Sequence, residues 1–340
     1  MAAIAVGYRV GMRAVILAGG GGTRLRPLTN ATPKPMVEFM GQPYAVGLLR
    51  RLAHVGVTHM DLLVGQDAAA FAALVATGRD LGVTVEVVTE ERPLDTAGAA
   101  RRLLRGTGDR AVIVCNGDVL TDIDFTDLVK RHHDAGAVAT LALTRVDDTA
   151  SFGVIECAAN GQIERFIEKP PPGTTSADTV NAGTYVLDAA AFEPFPGDGP
   201  LSFERAVFPE LLADGALLQG EPYEVHWQDL GTPQRFRDGH HAVLDGRCAW
   251  PVPPAVEVRD DATAVHRTAT IADDVELAAP TIIGAGVRVG PGARCRGAIV
   301  LTGATIGAGA TITDSIIGPG ARVADGAVVG PDAVMVADTT

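Results

Sequence analysis

The chain has 340 residues, of which 47% are hydrophobic, and this is enough apolar material for more than one buried core. We therefore expect a folded protein of two domains. The formal charge of -13 at pH 7 argues against nucleic acid or an anionic membrane surface as a partner, because both attract basic patches. Any binding of phosphate must then depend on a few local cations.

Cysteine usage and the N-terminal segment favour a cytoplasmic location. The four cysteines are far apart and lack the paired spacing of a metal site or a disulfide framework. Residues 1–11 are mildly apolar but too short for a secretion signal, so we interpret them as a disordered extension. No later run approaches the roughly 20 apolar residues of a transmembrane span.

The first part of the chain alternates strand-like apolar runs with helical patterns. The predicted strands are 14–18, 60–64, 83–88, 111–115, 138–143, 163–167 and 184–187. The predicted helices are 44–54, 67–77, 97–105, 127–134 and 203–212. These elements predict an α/β fold, a Rossmann-like three-layer domain with a mixed, mostly parallel sheet. Ligands of such sheets bind beyond the carboxyl ends of the strands.

The composition changes after Trp250, because Phe, Tyr, Trp and Lys are absent from the rest of the chain. From about residue 265 an aliphatic residue or cysteine recurs every six positions, with two slips of one residue. The members of this row are Ile271, Leu277, Ile283, Val289, Cys295, Leu301, Ile306, Ile312, Ile317, Val323, Val329 and Met335. Hexapeptide periodicity predicts a parallel β-helix, in which each coil stacks its row on the next. A disordered Gly- and Ala-rich tail would not keep this register.

These observations predict a domain plan. The extension 1–11 precedes an α/β domain at 12–235, a linker at 236–261 and a left-handed parallel β-helix at 262–340. A flat, exposed β-helix face readily pairs with a copy of itself, so we expect a homo-oligomer.

A glycine-rich loop at 17–29 follows the first predicted strand and reads Leu-Ala-Gly-Gly-Gly-Gly-Thr-Arg-Leu-Arg-Pro-Leu-Thr. Its glycines let backbone N–H groups approach a polyphosphate, and the Arg24 guanidinium can brace the same oxygens. A dinucleotide-binding G-x-G-x-x-G would require glycine at Arg24 or Leu25, and a P-loop would require Gly-Lys-Ser/Thr. Neither motif is present.

The other candidate site residues are lysines and aspartates. The only lysines are Lys34, Lys130 and Lys169, and in a chain that otherwise uses arginine, the proline-flanked Lys34 and Lys169 indicate sites for a compact ammonium group. Asp118 follows a strongly apolar predicted strand, where a carboxylate can hold a hard cation. The acidic residues just after it fit a capped helix start. His132 and His133 are expected to be exposed helix residues.

These segments resemble the signature of the sugar-1-phosphate nucleotidyltransferases. The loop at 17–29 and Pro-Lys-Pro-Met at 33–36 carry the resemblance. It continues through Asn-Gly-Asp at 116–118, Phe-Gly-Val-Ile-Glu at 152–156, Phe-Ile-Glu-Lys-Pro at 166–170, Asn-Ala-Gly-Thr-Tyr-Val at 181–186 and Trp-Gln-Asp-Leu-Gly-Thr-Pro at 227–233. Together these segments span about residues 13–235, and the hexapeptide region resembles the accessory domain of many members.

The resemblance implies a reaction in which an oxygen of a sugar 1-phosphate attacks the α-phosphorus of a nucleoside triphosphate and pyrophosphate leaves. Positioning and electrostatics should supply most of the catalysis. Asp118 and Asp229 would together hold Mg²⁺. Arg24 would stabilise charge at the α-phosphate, and Lys34 would neutralise the triphosphate.

The resemblance also implies two sets of binding residues. The nucleotide set is Leu17, Ala18, Gly19, Gly20, Gly22, Thr23, Gln66, Asp95, Thr96, Gly98 and Gly117. The sugar-phosphate set is Gly153, Glu168, Lys169, Asn181 and Gly183, with Lys169 on the phosphate. Many members carry glycine where this chain has Asp95, which leaves base recognition open, and Asp95 could equally cap the following helix.

The motifs look most like those of mannose-1-phosphate guanylyltransferases, so GTP and a GDP-sugar product are favoured. The acceptor would be like mannose 1-phosphate or would be a cyclitol phosphate. A thymidylyl- or uridylyltransferase acting on glucose 1-phosphate is the alternative, because base choice depends on a few hydrogen bonds. A non-catalytic regulatory paralogue would have lost the phosphate and metal residues, which are present here. An acyltransferase β-helix would need a catalytic base, and the repeat offers only His266.

Overall fold

The computed structural model describes residues 11–65, 68–146, 153–168, 171, 175 and 177–337, with the backbone alone for Glu168. These residues divide into two compact units, each built from several chain segments. The sheet unit comprises the chain up to Gly20, Leu49–Gly117 and Ile123–Val225. The β-helix unit comprises Gly21–Leu48, Asp118–Asp122 and the chain from His226 onward.

The strands before the hexapeptide region are short to medium in length. They are β1 Met12–Ala18, β2 Glu38–Phe39, β3 Gln42–Pro43, β4 Val57–Val64, β5 Thr84–Thr89, β6 Val112–Asn116, β7 Val119–Thr121, β8 Ala139–Arg145, β9 Gly153–Cys157, β10 Ile163–Glu168, β11 Thr179–Leu187, β12 Leu218–Pro222 and β13 Trp227–Asp229. The sequence patterns did not predict β2, β3, β7, β9, β12 or β13. Within β12, Gly220 and Pro222 hide the usual strand pattern.

Nine of the described strands form the main sheet of the sheet unit, in the order β10-β9-β11-β6-β1-β4-β5, with β8 on β11 and β12 on β8. Parallel pairs join β5, β4, β1 and β6, and also β8 and β12. Antiparallel pairs join β11 to β6, β8 and β9. On β1, the consecutive residues Ala14, Val15 and Ile16 are fully buried, so both faces of the sheet are covered. The predicted α/β class with a mixed sheet is confirmed.

The described α-helices are α1 Tyr44–His54, α2 Ala72–Leu81, α3 Asp95–Leu104, α4 Phe125–Ala135, α5 Phe208–Ala213 and α6 Pro233–Leu244. Five of these six described helices overlap a predicted helix, although α2 begins five residues later than predicted, and α6 was not predicted. A π-helical turn, Phe203–Val207, replaces the start of the helix predicted at 203–212. Helix α6 occupies part of the segment predicted as a linker, and it begins with the Thr232 side chain accepting a hydrogen bond from the Arg235 N–H. The predicted domain boundaries stay a prediction.

Two predictions about polar residues of α4, its cap and the exposure of its histidines, have different outcomes. The helix is capped by Asp124, whose side chain accepts hydrogen bonds from the backbone N–H groups of Thr126 and Asp127, as expected of a capped start. The prediction that His132 is exposed is wrong, because its side chain is buried and its Nδ1 lies 3.0 Å from the Thr140 hydroxyl. Burial lowers the pKa of His132, although the nearby Asp188 opposes the shift.

The hexapeptide region forms a parallel β-helix, as predicted, and its left-handed sense stays a prediction. Its strands are β14 Val256–Val258, β15 Thr263–His266, β16 Thr270–Ile271, β17 Glu276–Ala278, β18 Thr281–Ile283, β19 Arg288–Val289, β20 Arg294–Arg296, β21 Ile299–Val300, β22 Thr305–Ile306, β23 Thr311–Thr313, β24 Ile316–Ile317, β25 Arg322–Val323, β26 Val328–Val329 and β27 Val334–Met335. They form three sheets, ordered β14-β15-β18-β21-β24-β27, β16-β19-β22-β25 and β17-β20-β23-β26. Except for β14 on β15, the pairs are parallel.

One member of the predicted aliphatic row is displaced. Val300, rather than Leu301, belongs to the β-helix core, where it pairs in register with Ile283 on one coil and Ile317 on the next. The first slip in the repeat therefore precedes Val300. Equivalent corners of successive coils carry Gly286, Gly303 and Gly320 with φ of 61°, 72° and 67°, a conformation that favours glycine.

No helix in the described part of the chain is long and apolar enough to cross a membrane.

Candidate active site

The signature loop enters the β-helix unit through two short 3-10 turns. Gly22 precedes the turn Thr23–Leu25 with φ of 59°, and its carbonyl accepts a hydrogen bond from the Thr29 hydroxyl at 2.7 Å. A Cβ on Gly22 would lie 3.1 Å from Thr29 and 3.2 Å from Lys34, so both backbone conformation and packing favour glycine. The second turn, Lys34–Met36, follows Pro33 and contains Pro35, and both prolines stiffen it.

Lys34 lies between two carboxylates. Its Nζ donates to Asp118 Oδ2 at 2.6 Å and to Asp229 Oδ1 at 3.3 Å, and its side chain is only 8% exposed. Arg235 donates to Asp229 Oδ2 at 2.8 Å, and Arg24 Nη2 lies 3.7 Å from the same oxygen. The cluster thus holds three cations around two carboxylates in a half-buried setting. We refer to these five residues as the Lys34 cluster.

Backbone pairing brings the two aspartates together from distant parts of the chain. Strand β7 pairs antiparallel with β13, with Val119 opposite Asp229. The Leu230 N–H donates to the Asp118 carbonyl at 3.0 Å, which extends the ladder by one residue. A Cβ on the intervening Gly231 would lie 2.6 Å from Asp229 Oδ1 and 3.0 Å from Arg24 Nη2. Glycine at this position therefore leaves room for the cluster.

In the sheet unit, the predicted nucleotide residues lie at the carboxyl ends of β1 and β6. Leu17 and Ala18 end β1, and Gly19 and Gly20 follow directly. The Gly117 N–H donates to the Leu17 carbonyl at 2.8 Å, and a Cβ on Gly117 would lie 3.1 Å from that oxygen. Glycine at 117 therefore permits a close approach of two strand ends. Gln66 lies outside the described residues.

Helix α3 begins at the second group of predicted nucleotide residues. Asp95 has φ of 61°, a left-handed conformation that aspartate tolerates better than most residues. The alternative left open for Asp95, a helix cap, does not hold, because Asp95 is the first residue of α3 and Leu94 is the N-cap residue, without a side-chain cap. The Asp95 carboxylate accepts from the Thr96 N–H at 2.8 Å and pairs with Arg205.

Other contacts fix the same turn. The Thr96 hydroxyl donates to Glu204 Oε2 at 2.9 Å and accepts from the Phe203 N–H at 3.0 Å. A Cβ on Gly98 would lie 2.9 Å from the Leu94 Cβ, which explains glycine at that position. The start of α3 is thus tied to the turn at Phe203–Val207.

The predicted sugar-phosphate residues that the structure describes lie on β9, β10 and β11. Asn181 Nδ2 donates to the Tyr185 hydroxyl at 2.6 Å, and its Oδ1 accepts from the Gly183 N–H at 2.8 Å. Gly183 has φ of 70°, and a Cβ there would lie 2.3 Å from Asn116 Nδ2. Asn181 therefore stabilises an irregularity of β11 at this point.

The remaining members of this set are described only in part. Gly153 pairs through its backbone with Glu168 at the ends of β9 and β10. Lys169 lies outside the described residues. The sugar-phosphate roles of this set therefore rest on the sequence motif.

Comparison with known proteins assigns the chain to a family. Residues 13–246 match the nucleotidyl transferase family, and residues 260–340 match the GMPPB C-terminal domain. The chain belongs to the nucleotidyl transferase family. It is therefore an enzyme of the nucleotidyltransferase class, as the sequence motifs predicted.

Named relatives of this nucleotidyl transferase include mannose-1-phosphate guanylyltransferases. The Mycobacterium tuberculosis (strain ATCC 25618 / H37Rv) protein is 37% identical over 288 residues, covering 84% of this chain and 79% of that protein. A probable mannose-1-phosphate guanylyltransferase 3 of Oryza sativa subsp. japonica is 32% identical over 292 residues, covering 83% and 79%. Both matches extend beyond the α/β part into the hexapeptide region, because they cover more than four fifths of the chain.

Solved structures agree with this assignment. HddC from Yersinia pseudotuberculosis has a TM-score of 0.58 and 25% identity, covering 68% of this chain and 99% of HddC. A second HddC structure, complexed with GMP-PN, has a TM-score of 0.57 and 25% identity over the same shares.

Nucleotidyl transferases generally use a divalent metal. The Lys34 cluster fits such an ion, because oxygens of Asp118 and Asp229 converge on one cationic atom and carboxylate oxygens are the donors that hard divalent cations prefer. The side chains of Asp118 and Asp229 are 37% and 21% exposed, so the oxygens are reachable from solvent. When bound, the ion would neutralise phosphate charge.

Sequence patterns missed one member of this cluster. Arg235 lies in the first turn of α6 and contacts Asp229, but arginine is so common in this chain that its residue type carries no signal. The Thr232-Pro233 pair that starts α6 was the available indication that Arg235 is held in a helix rather than in a linker.

Proposed function

We propose that this nucleotidyl transferase uses GTP to guanylylate mannose 1-phosphate, or a sugar or cyclitol phosphate close to it, and releases pyrophosphate. The observation that carries the proposal is the Lys34 cluster, whose cations and carboxylates suit a polyphosphate and a divalent ion. The names of the relatives, and the nucleotide analogue bound to HddC, support guanine as the base.

The reaction forms a bond between an oxygen of the acceptor phosphate and the α-phosphorus while the bond to pyrophosphate breaks. We assign Asp118 and Asp229 to Mg²⁺, the usual partner of substrate phosphates. Arg24 has a side chain that is 68% exposed, so its guanidinium is free to turn toward the phosphate charge that develops. Lys34 is nearly buried and supplies a fixed positive charge on the triphosphate.

The other assignments extend the same proposal. Leu17, Ala18, Gly19, Gly20, Gly22, Thr23, Gln66, Asp95, Thr96, Gly98 and Gly117 would contact the nucleotide, and Gly153, Glu168, Lys169, Asn181 and Gly183 would contact the sugar phosphate. The backbone N–H groups of the glycine loop suit phosphate oxygens. The side-chain groups of Thr96 and Asn181 already bond within the protein, so these two residues would act through backbone or by holding their neighbours.

We also propose a cytoplasmic homo-oligomer. Cys115, Cys157, Cys248 and Cys295 form no disulfide with one another, as a reducing compartment favours. On the β-helix, Val328 is 81% exposed, and an exposed apolar side chain on a flat sheet suits contact with a second copy.

Measuring pyrophosphate release with Mg²⁺ tests the proposal, with GTP, dTTP, UTP and ATP each offered to mannose, glucose and cyclitol phosphates. We expect the highest kcat/KM for GTP with mannose 1-phosphate or a cyclitol phosphate. Preference for dTTP or UTP with glucose 1-phosphate would replace guanylyl transfer with the thymidylyl or uridylyl alternative. No turnover with any pair, in protein that still binds nucleotide, would favour a regulatory paralogue.

A further inference from the structure

A second charged cavity lies in the sheet unit, and none of its lining residues belongs to the sets assigned above. It has a volume of about 530 Å³, and its walls come from the last turns of α3, the segment before α3 and the loop before Phe203. The lining residues are Glu91, Arg92, Arg101, Arg102, Arg105 and Asp198. We refer to it as the arginine cavity.

The cavity concentrates positive charge in a chain of formal charge -13. Four guanidinium groups face two carboxylates, and among the described residues no ion pair within 4.0 Å joins any of the four to a carboxylate. The arginines of the Lys34 cluster, in contrast, lie within that distance of Asp229. The positive charges of the arginine cavity therefore have backbone carbonyls rather than carboxylates as their close partners, and they repel one another.

Arg101 is the unusual member of the group. It is 4% exposed, and its Nη2 donates to the Gly199 carbonyl at 2.7 Å. Its Nε is buried and has no hydrogen-bond partner. Burial lowers the pKa of this guanidinium, whereas Asp198 raises it. A buried N–H donor without an acceptor costs free energy that a bound acceptor would recover.

The helix dipole explains only part of this arrangement. Cations near the last turn of a helix are stabilised by the partial negative charge there, and this accounts for exposed residues such as Arg102 and Arg105. Arg105 also donates to the carbonyls of Phe195 and Pro196, which holds the neighbouring loop. Neither effect supplies an acceptor for the Nε of Arg101.

We propose that the arginine cavity binds a small phosphorylated anion at a site separate from the catalytic residues. A phosphate group offers several acceptor oxygens and about two negative charges, and guanidinium forks match its geometry better than an ammonium does. Arg101 lines the cavity with one unsatisfied N–H, and Arg92 and Arg102 are exposed, with Arg92 holding a long hydrogen bond of 3.4 Å to the Asp198 carbonyl. The volume suits a metabolite-sized ligand rather than a macromolecule.

Isothermal titration with inorganic phosphate, at constant ionic strength in chloride buffer, tests the proposal. The double variant Arg92→Gln with Arg102→Gln removes two exposed donors and should weaken phosphate binding about tenfold or more, since one hydrogen bond to a charged group is worth about that factor. Arg79→Gln is the matched control, because Arg79 is an exposed helical arginine outside the cavity. It should leave the affinity unchanged.

Further variants separate binding from folding. Arg101→Lys keeps the charge but removes the guanidinium fork, and it should also weaken phosphate binding, with melting temperature and circular dichroism reporting the fold. If the double variant melts early, Arg102→Gln alone provides the comparison. Equal phosphate affinity in the double variant and in Arg79→Gln would overturn the proposal, as would a wild-type protein without saturable phosphate binding. These substitutions leave the catalytic residues intact, so any phosphate bound there keeps its affinity in the variants. The test of phosphate binding and the test of guanylyl transfer can therefore fail separately.

Discussion

The β-helix strands β14 to β27 and the nucleotidyltransferase part of the chain, residues 13–246, use their residues in different ways. In the β-helix, Ile283, Val300 and Ile317 occupy equivalent positions on successive coils and pair in register. Around Lys34, each residue occurs once: Asp118 directly precedes β7, and Asp229 ends β13. The stability of the β-helix is therefore shared among many similar contacts, whereas the proposed chemistry depends on single side chains around Lys34.

Their interiors also differ in polarity. The β-helix core consists of aliphatic side chains with Cys295, whose pKa burial raises to about 11, so it stays a neutral thiol. The nucleotidyltransferase part buries titratable groups, including Asp61, His132 and His240. The comparison predicts that single substitutions affect activity in one region and stability in the other, and that acid affects them unequally.

The largest effect should follow Asp118→Asn. This change removes a charge that lies 2.6 Å from Lys34 Nζ and that we assign to the metal, so turnover should fall about 10²- to 10³-fold. Pyrophosphate release with Mg²⁺ measures it, and circular dichroism checks the fold. Asp134→Asn is a control that removes only the exposed ion pair with Lys130, and it should leave turnover unchanged. Activity of Asp118→Asn within tenfold of wild type would rule out this assignment.

Ile312→Ala tests the other half of the comparison. Ile312 is fully buried in the β-helix core, and its truncation should lower the free energy of unfolding by about 2–5 kcal/mol. Urea unfolding followed by far-UV circular dichroism measures the loss, with the neighbouring, half-buried Thr311→Ala as control. Turnover per folded molecule should not change. A loss of turnover in fully folded protein would show that the β-helix contributes to the chemistry.

Acid should destabilise the nucleotidyltransferase part first. His240 is fully buried; its Nδ1 bonds to the Phe236 carbonyl at 2.9 Å and its Nε2 lies 3.3 Å from the Met40 N–H. Burial lowers the pKa of His240 from 6.5 to about 3. Below about pH 6.5 the imidazole is protonated in the unfolded chain but stays neutral in the folded chain. The free energy of unfolding therefore falls as the pH drops toward 3, by up to about 1.4 kcal/mol per pH unit.

Fluorescence of Trp227 and Trp250, which both precede the β-helix strands β15 to β27, can follow urea unfolding at pH 7.5, 6 and 5. In His240→Gln the dependence on pH should be shallower than in wild type, although His132 still contributes. An identical slope in the two proteins would contradict the assignment of this acid sensitivity to His240.

The same contrast explains what the sequence could predict. The β-helix is evident from its period, because many residues repeat one signal, and only the Leu301 position was displaced by a slip. Helix α1 was predicted with its observed bounds, since its apolar face has helical spacing. His132 was misplaced because two adjacent histidines on α4 do not reveal which one faces the sheet. Apolar spacing indicates which face of a helix is buried, whereas the residue type of a histidine does not show whether it faces inward.

The sequence predicted most residues of the Lys34 cluster but not how they are arranged in space. Motifs indicated Lys34, Asp118 and Asp229 singly, whereas their convergence depends on the pairing of β7 with β13, two short strands that no local pattern reveals. Arg101 illustrates the same limit, because its partnerless Nε follows from burial against the Gly199 loop. Contacts between distant segments are set by packing, which residue type and spacing do not report.

The smallest effect on stability should come from Val328→Lys. This variant tests whether the β-helix face that carries Val328 also forms an interface between two copies of the chain. Val328 is 81% exposed and lies in register with Thr311 on the neighbouring coil, so substitution in an isolated chain should change the free energy of unfolding by about 0.5 kcal/mol or less. If this face joins two copies, a lysine there introduces like charges at the contact, and the mass measured by light scattering should fall toward that of one chain. Val258→Lys is the control, since Val258 is 43% exposed on β14, a strand of a different sheet. Equal masses for wild type and both variants would exclude this face from the oligomer interface.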